Sequence, residues 1–497
     1  ALECSSSKIE RIGKGMKSTA VTIPIKTPVV FGPPNKYGFS MIEPFELLEH
    51  QYRVIDWIIQ KETVPLHGMR GGVVAAEMGL GKTLVALSLI RCRGGKTPTL
   101  FVCNKSLINV IASDSAKFFG DSLKYMVLNN EYLPKKTTVN DFTPEWLVGM
   151  DFVLVTYDTL VVLANNKDKL QKRNAEKLFF GFPWQRVIAD ESQRFVNPKS
   201  QIFHALHRIP KSFRVCLTGT PIRNYDGDLY AQMVFCGLDP SIKWSFQNYT
   251  ALKIQENILV MSMEEAKIVL PKKHTVRLSL EFSPAEKKIY DEIFQQSSSA
   301  FHEFNNRTNT FASVLIQVLR LRQSCISSAL LQEKKEDLDP TTKFLKIAEI
   351  LEAVPPGEKV IVFSCFTSAL SLLKGTLQKH NPLLVDGSTS SRKRDVLFKQ
   401  FQTSLSHNVL LLTNRVGSMG LNLTEANHVI LMEPWWNTVT GLQAVARCHR
   451  IGQTRECYVW ELVMKNSIEE RMLDMCTNKN AVSEKFLNQD TLNLFFK

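Results

Sequence analysis

Long apolar runs are missing from this sequence. Nowhere in its 497 residues do apolar side chains approach the ~18 in a row that a membrane-spanning helix needs. Residues 1–16 are polar with scattered lysine and lack the apolar centre of a secretory signal, so the expectation is a chain that is not secreted. Paired cysteines are missing as well. The 10 cysteines stand singly, as at Cys92, Cys216, Cys325 and Cys448, and no C-x-x-C occurs. Zinc-ribbon and RING spacings are thereby excluded, and the thiols are expected to be reduced and mostly buried, as in an intracellular protein. His204 and His207 lack a flanking carboxylate or thiol at ligand spacing, so no metal site is expected there. Repeats and low-complexity tracts are absent. Negative charge is the scarcer sign: Asp and Glu number 48 against 61 Lys and Arg, a net charge of +13. That imbalance favours a polyanionic partner, nucleic acid first. The remaining composition, 44% hydrophobic and 22% charged, is ordinary for globular domains.

Short β-branched runs alternate with helical stretches twice over. The first set is Val73–Ala75, Leu100–Val102, Phe152–Val155, Val187-Ile188 and Val215–Leu217; the second is Val360–Phe363, Leu383–Val385, Val409–Leu412, Val429–Leu431 and Tyr458–Trp460. Continuous apolar strands, unlike alternating ones, belong to sheets covered on both faces. The expected fold class is therefore α/β, two tandem doubly wound lobes with helical protrusions between them. The boundaries read as a flank over 1–44, lobe one over 45–235, protrusions and linker over 236–342, lobe two over 343–478 and a tail over 479–497.

After the first strand comes Ala76-Glu77-Met78-Gly79-Leu80-Gly81-Lys82-Thr83 and then the helical run Leu84–Ile90. This is a P-loop with Ala76 where glycine is commoner. Small residues let backbone N–H groups curl around phosphate oxygens, and the following helix N-terminus adds positive potential. Gly79, Leu80, Gly81, Lys82 and Thr83 are thus candidate ATP-binding residues. Lys82 is expected to neutralise the outer phosphates and Thr83 to ligate magnesium. Such a site also needs a carboxylate at a neighbouring strand end, and Val187-Ile188-Ala189 runs into Asp190-Glu191-Ser192-Gln193. Asp190 is the second candidate magnesium ligand and Glu191 the candidate base for the attacking water. In the second set, Asn437 can cap a helix on which Gln443, Arg447 and Arg450, spaced by four and three, share one face. If the lobes meet across ATP, the two arginines are candidate fingers, a contribution worth ~10³–10⁵ in rate in other NTPases.

Taken together these residues resemble the Swi/Snf (Snf-two) family of DNA-dependent ATPases within helicase superfamily two. The resemblance rests on Leu47-x-x-His50-Gln51, the P-loop, Thr156-Tyr157-Asp158, Asp190–Gln193 and Leu217-Thr218-Gly219-Thr220-Pro221-Ile222-Arg223-Asn224. It continues through Val362–Thr367, Asp386–Thr389, Gly420–Thr424, Trp435-Trp436-Asn437 and Gln443–Gln453. In order and spacing these matches cover positions 45 to 475, and Cys448–Arg455 is the most diagnostic string.

The resemblance implies two RecA-like lobes that track along double-stranded DNA while hydrolysing ATP with magnesium. Nucleosomes or transcription machinery become candidate partners, and the nucleus or a viral DNA-processing compartment becomes the place of action. By position, Gln51 resembles a residue that reads adenine, and Thr156, Tyr157, Ser364, Thr413 and Trp436 resemble nucleic-acid contacts. Leu319–Gln323 resembles the entry to lobe two in the branch with an inserted RING, yet Ser324–Asp339 is short and holds one cysteine, so ligase activity is not expected. Departures stand at Gln193 for a usual His, Cys365 for Gln, Ser418 for Gly and Thr438 for Pro. None removes a phosphate, metal or finger residue. Altered coupling between lobes is expected from Gln193.

Overall fold

The computed structural model describes residues 31–474, apart from 134–136, 166–173, 175, 222–226, 243–244, 246–251, 306–310, 332–340, 418–421 and 436–437. The chain divides into two compact units, with the boundary between Lys267 and Ile268.

Unit one is built on seven strands: β1 (Gly71–Ala76), β2 (Thr99–Cys103), β3 (Tyr125–Val127), β4 (Phe152–Thr156), β5 (Trp184–Asp190), β6 (Lys211–Thr218) and β7 (Ile258–Met261). All pair in parallel, in the order β3-β4-β2-β5-β6-β1-β7. Every residue of β1, β2 and β4 is buried, as continuous apolar runs require. Helix α1 (Glu49–Thr63) buries His50, Gln51, Val54, Ile55, Ile58 and Glu62, one face at helical spacing. Helix α2 (Lys82–Cys92) follows the P-loop, and helix α3 (Gly227–Cys236) follows β6.

Unit two carries β8 (Lys273–Leu280), β9 (Val360–Ser364), β10 (Leu383–Val385), β11 (Val409–Thr413), β12 (His428–Leu431) and β13 (Cys457–Met464), all parallel, ordered β10-β11-β9-β12-β13-β8. Alternate residues feed two cores. Ile361, Phe363, Leu410, Leu412 and Val429 join one, whereas Val360, Val362, Val409, Leu411 and Ile430 join the other. Both sheet faces are therefore covered, and each unit is a doubly wound α/β layer structure as the sequence pattern required.

All ten expected strands are present. The 236–342 segment, expected to be protrusions and linker, is instead divided between the units. Its β7 pairs with β1 in unit one, and its β8 pairs with β13 in unit two. The helices Pro284–Asn305 and Phe311–Ser324 also belong to unit two, where Tyr290, Ile293, Leu321 and Cys325 pack with Met464 of β13. The physical reason is edge position. Strand β8 alternates exposed with half-buried positions and so shows no continuous apolar run, whereas β7 is an apolar run of four, Ile258–Met261, that the sequence reading passed over. The described part of the expected 1–44 flank is joined to unit one: Phe39 and Met41 are buried, and Ile42 N–H donates to the Phe118 carbonyl. Among the described residues no helix is long and apolar enough to cross a membrane.

Candidate functional site

Parallel register places the ends of three neighbouring strands at one level. Ala75 of β1 lies beside Thr218 of β6, and Leu217 of β6 lies beside Asp190 of β5. Ligands in open α/β sheets bind beyond such carboxyl ends. The loop that leaves β1 turns through Gly79 (φ 95°) and Gly81 (φ 79°), conformations that favour glycine. A Cβ on Gly81 would sit 2.4 Å from Gln51 Nε2 and would displace that amide. Gly81 caps α2 without a side-chain hydrogen bond, which leaves first-turn N–H groups for an anion. Lys82 Nζ donates to the carbonyls of Ala76 (2.7 Å) and Glu77 (3.1 Å), across the mouth of the cradle.

The cradle is braced from outside. His50 Nε2 lies 3.0 Å and Gln51 Nε2 3.3 Å from the Leu80 carbonyl. Gln51 Oε1 accepts from Leu48 N–H at 2.9 Å, so this amide joins the start of α1 to the P-loop. Glu77 N–H donates to the Met261 carbonyl, and its carboxylate accepts from Met263 N–H at 3.0 Å. The β7 region therefore holds the loop's other side.

Asp190 ends β5, and its Oδ1 accepts from Glu191 N–H at 3.0 Å. Glu191 itself is left-handed (φ 53°, ψ 49°), a conformation a side chain holds only when its surroundings impose it. Gln193 Nε2 donates to the Glu191 carboxylate while its Oε1 accepts from Thr218 Oγ1 at 2.7 Å. Thr218 Oγ1 in turn accepts from Thr220 N–H at 3.0 Å. Gln193, standing where His was expected, thus ties the acidic turn to the exit of β6.

Of the expected nucleic-acid contacts, the described ones are buried in this structure. Thr156 is buried and caps the helix Tyr157–Ala164, accepting from Thr159 N–H at 3.1 Å. Tyr157 is buried and donates from its hydroxyl to the Asp190 backbone carbonyl at 2.6 Å. Burial first, and Asp190 second, push this phenol well above the ordinary tyrosine range, so it stays a donor. Ser364 is fully buried at the end of β9. Thr156 and Ser364 end β4 and β9, and Tyr157 opens the helix after β4; in this structure all three support their neighbours from within. Thr413 is buried too, and among the described residues its Oγ1 and both amide atoms of the adjacent Asn414 have no hydrogen-bond partner. Trp436 lies outside the described residues.

A correction concerns the candidate fingers. The helix Thr438–Val445 includes Gln443 but stops before Arg447 and Arg450, which lie in the turns beyond it. The backbone tightens there: Arg447 N–H donates to the Ala444 carbonyl, and Arg447's own carbonyl accepts from Leu423 N–H. Buried Gln453 reaches the carbonyls of Thr424, Ala426 and Cys448 at 2.9–3.1 Å and holds the turn. The shared helical face inferred from spacing does not exist. Arg447 is buried and Arg450 half-buried.

Residues 50–330 match the family model described as the SNF2-related domain, and residues 342–452 match the helicase conserved C-terminal domain. The chain belongs to the SNF2-related family. It is accordingly a DNA-dependent ATPase of helicase superfamily two that uses ATP. It is 31% identical to "Probable global transactivator" of Orgyia pseudotsugata multicapsid polyhedrosis virus, over 90% of this chain and 92% of that protein. It is 29% identical to "Putative helicase 172L" of Invertebrate iridescent virus 6, over 89% and 91% respectively. Identity to the "ISWI chromatin-remodeling complex ATPase ISW1" of Saccharomyces cerevisiae is 26%, over 90% of this chain and 41% of that protein.

Within this SNF2-related site the sequence reading overlooked several supporting residues. His50, Thr218 and Ser192 stand inside the quoted motifs, but the partners they hold could not be read there, and Gln232 stands in no motif. A signal for Gln232 was available: it is a lone amide inside Leu229-Tyr230-Ala231-Gln232-Met233-Val234-Phe235, an otherwise apolar helical run.

Proposed function

We propose that this chain is an ATP-driven translocase on double-stranded DNA. The observation that carries the proposal is the convergence, at the ends of β1, β5 and β6, of a phosphate cradle and an acidic turn. Lys82 leaves the Ala76 and Glu77 carbonyls for the phosphates of ATP, and α2 directs its first N–H groups to them. Among the described residues no three His, Cys, Asp or Glu side chains could hold a metal by themselves. Thr83 and Asp190 would therefore hold magnesium together with phosphate oxygens, and the ion would add charge compensation. Glu191, presented by its left-handed turn, takes the proton of the attacking water. Gln51 serves the nucleotide by bracing Leu80, and its amide is the group available to adenine. Arg447 and Arg450, with Gln443 nearby in sequence, are the finger residues of this reading, a role that Arg450→Ala tests.

For DNA, the positive net charge supplies sequence-independent attraction. The biological setting we propose is remodelling of protein–DNA complexes, in chromatin or in virus-type transcription. Support comes from relatives whose names include a chromatin-remodelling ATPase and a viral transactivator.

The test is ATP hydrolysis measured without nucleic acid, with duplex DNA and with single-stranded RNA, in wild type, Lys82→Ala and Glu191→Gln. Duplex DNA should stimulate wild type, Lys82→Ala should be inactive, and Glu191→Gln should bind ATP without hydrolysing it. Stimulation by RNA alone would overturn the DNA assignment. Near wild-type hydrolysis in Glu191→Gln would remove it as the base.

A further inference from the structure

Gln232 is an amide where packing alone would place an aliphatic side chain. It is 0% exposed in the middle of α3. Its Nε2 donates to the Pro221 carbonyl at 2.8 Å and to the Asp228 carbonyl at 3.1 Å. Its Oε1 accepts from Ser192 Oγ at 2.6 Å. Both amide hydrogens and the oxygen are engaged, so the desolvation of this buried group is compensated only while all three partners stay in place. Those partners come from three segments: the turn after Glu191, the exit of β6 and the first turn of α3.

We infer that Gln232, acting through Ser192, is a positioning residue for Glu191. Ser192 is the residue immediately after Glu191 and is itself fully buried. Its hydroxyl anchors the acidic turn to α3, while the next residue, Gln193, anchors the same turn to Thr218. Two ties on successive residues, running to α3 and to β6, hold the left-handed backbone of Glu191 against the return to ordinary geometry. The same Gln232 amide fixes Pro221 and Asp228, so displacement at the exit of β6 is passed to the turn that carries the base. Gln232 touches no reacting atom. Its effect is on where Glu191 stands.

This inference rests on the reading of Glu191 as the base, and the experiment separates the two. Steady-state hydrolysis with saturating duplex DNA is measured for the full chain as wild type, Ser192→Ala, Gln232→Leu, the double variant and Glu191→Gln, with thermal melting of each. Ser192→Ala and Gln232→Leu should each lower kcat about 10- to 100-fold, the scale of a misplaced catalytic group. KM for ATP should move less than about threefold, because the cradle is untouched. The double variant should lose no more than the larger single loss, since both changes cut one tie. Should Gln232→Leu fail to fold, Ser192→Ala, which removes a single oxygen, carries the test. A wild-type kcat in Ser192→Ala overturns the inference, as do single losses that multiply in the double variant. Hydrolysis surviving in Glu191→Gln removes the base and this inference with it. Loss in Glu191→Gln beside an unchanged Ser192→Ala removes the tie alone.

Discussion

Cutting the buried ion pair between Glu62 and Arg186 should destabilise unit one severely, and replacing both residues should not. Arg186 Nε donates to Glu62 Oε1 at 2.5 Å and Nη2 to Oε2 at 2.7 Å, a bidentate pair with both side chains fully buried. Glu62 stands near the end of α1, the helix whose His50 and Gln51 brace the P-loop. Arg186 stands on β5, the strand that ends at Asp190. The pair therefore locks together the two elements that carry opposite sides of the ATP site. Removing one partner leaves an uncompensated buried charge, which costs about 3–5 kcal/mol. For a unit of this size, each kcal/mol lowers Tm by ~2–4 °C, so Glu62→Leu or Arg186→Met should lower it by about 6–20 °C. Glu62→Leu with Arg186→Met removes both charges together, and its stability should return to within about 2 kcal/mol of wild type. Denaturant melts of the four proteins give the coupling directly. If either single change costs below about 1 kcal/mol, or if the double variant shows the sum of both losses, the reasoning from buried charge is refuted.

Three further outcomes are expected. Affinity for duplex DNA should fall by about 10³-fold or more between 50 and 200 mM salt if six or more phosphates are neutralised, with a log–log slope of ~0.9 per phosphate; a flat titration would return the positive charge to a passive role. Arg450→Ala should retain ATP and DNA binding yet lose most DNA stimulation of turnover, and full stimulation in the variant would show that Arg450 is no finger. Burial pushes the Lys211 amine down to about 7, although it donates to the carbonyls of Leu206, His207 and Ile209. Its unfolded value is ~10.4, so the unfolded chain binds more protons between those limits and stability rises with pH there, by at most ~1.4 kcal/mol per unit. Denaturant midpoints at pH 7, 8 and 9 should climb, and Lys211→Met should flatten the slope.

What could be read in advance and what could not divide along a physical line. The P-loop is contiguous because one turn of backbone must wrap one phosphate group, so its residues have to be neighbours in the chain. The ten central strands are legible because burial on both faces demands unbroken apolar runs. Edge strands carry no such demand: β8 alternates exposed with half-buried positions, and the four apolar residues of β7 stand alone in a stretch otherwise rich in charge, so the strands at either end of the expected linker went unread. Spacing also misled at Arg447 and Arg450. Four-and-three spacing describes a helical face only if the helix continues, and it stops at Val445, before a turn held by Leu423 and Gln453 from elsewhere in the chain. Burial of Thr156, Tyr157 and Ser364 follows from which strands are central, a consequence of strand order that no local pattern encodes. The amino-acid sequence by itself determined the fold class, the phosphate cradle and the acidic pair, because each depends on residues close together in the chain. Only the tertiary structure decided what supports Glu191, because Gln193 meets Thr218 and Ser192 meets Gln232 across 25 and 40 residues of chain, contacts that exist only once β5, β6 and α3 have packed.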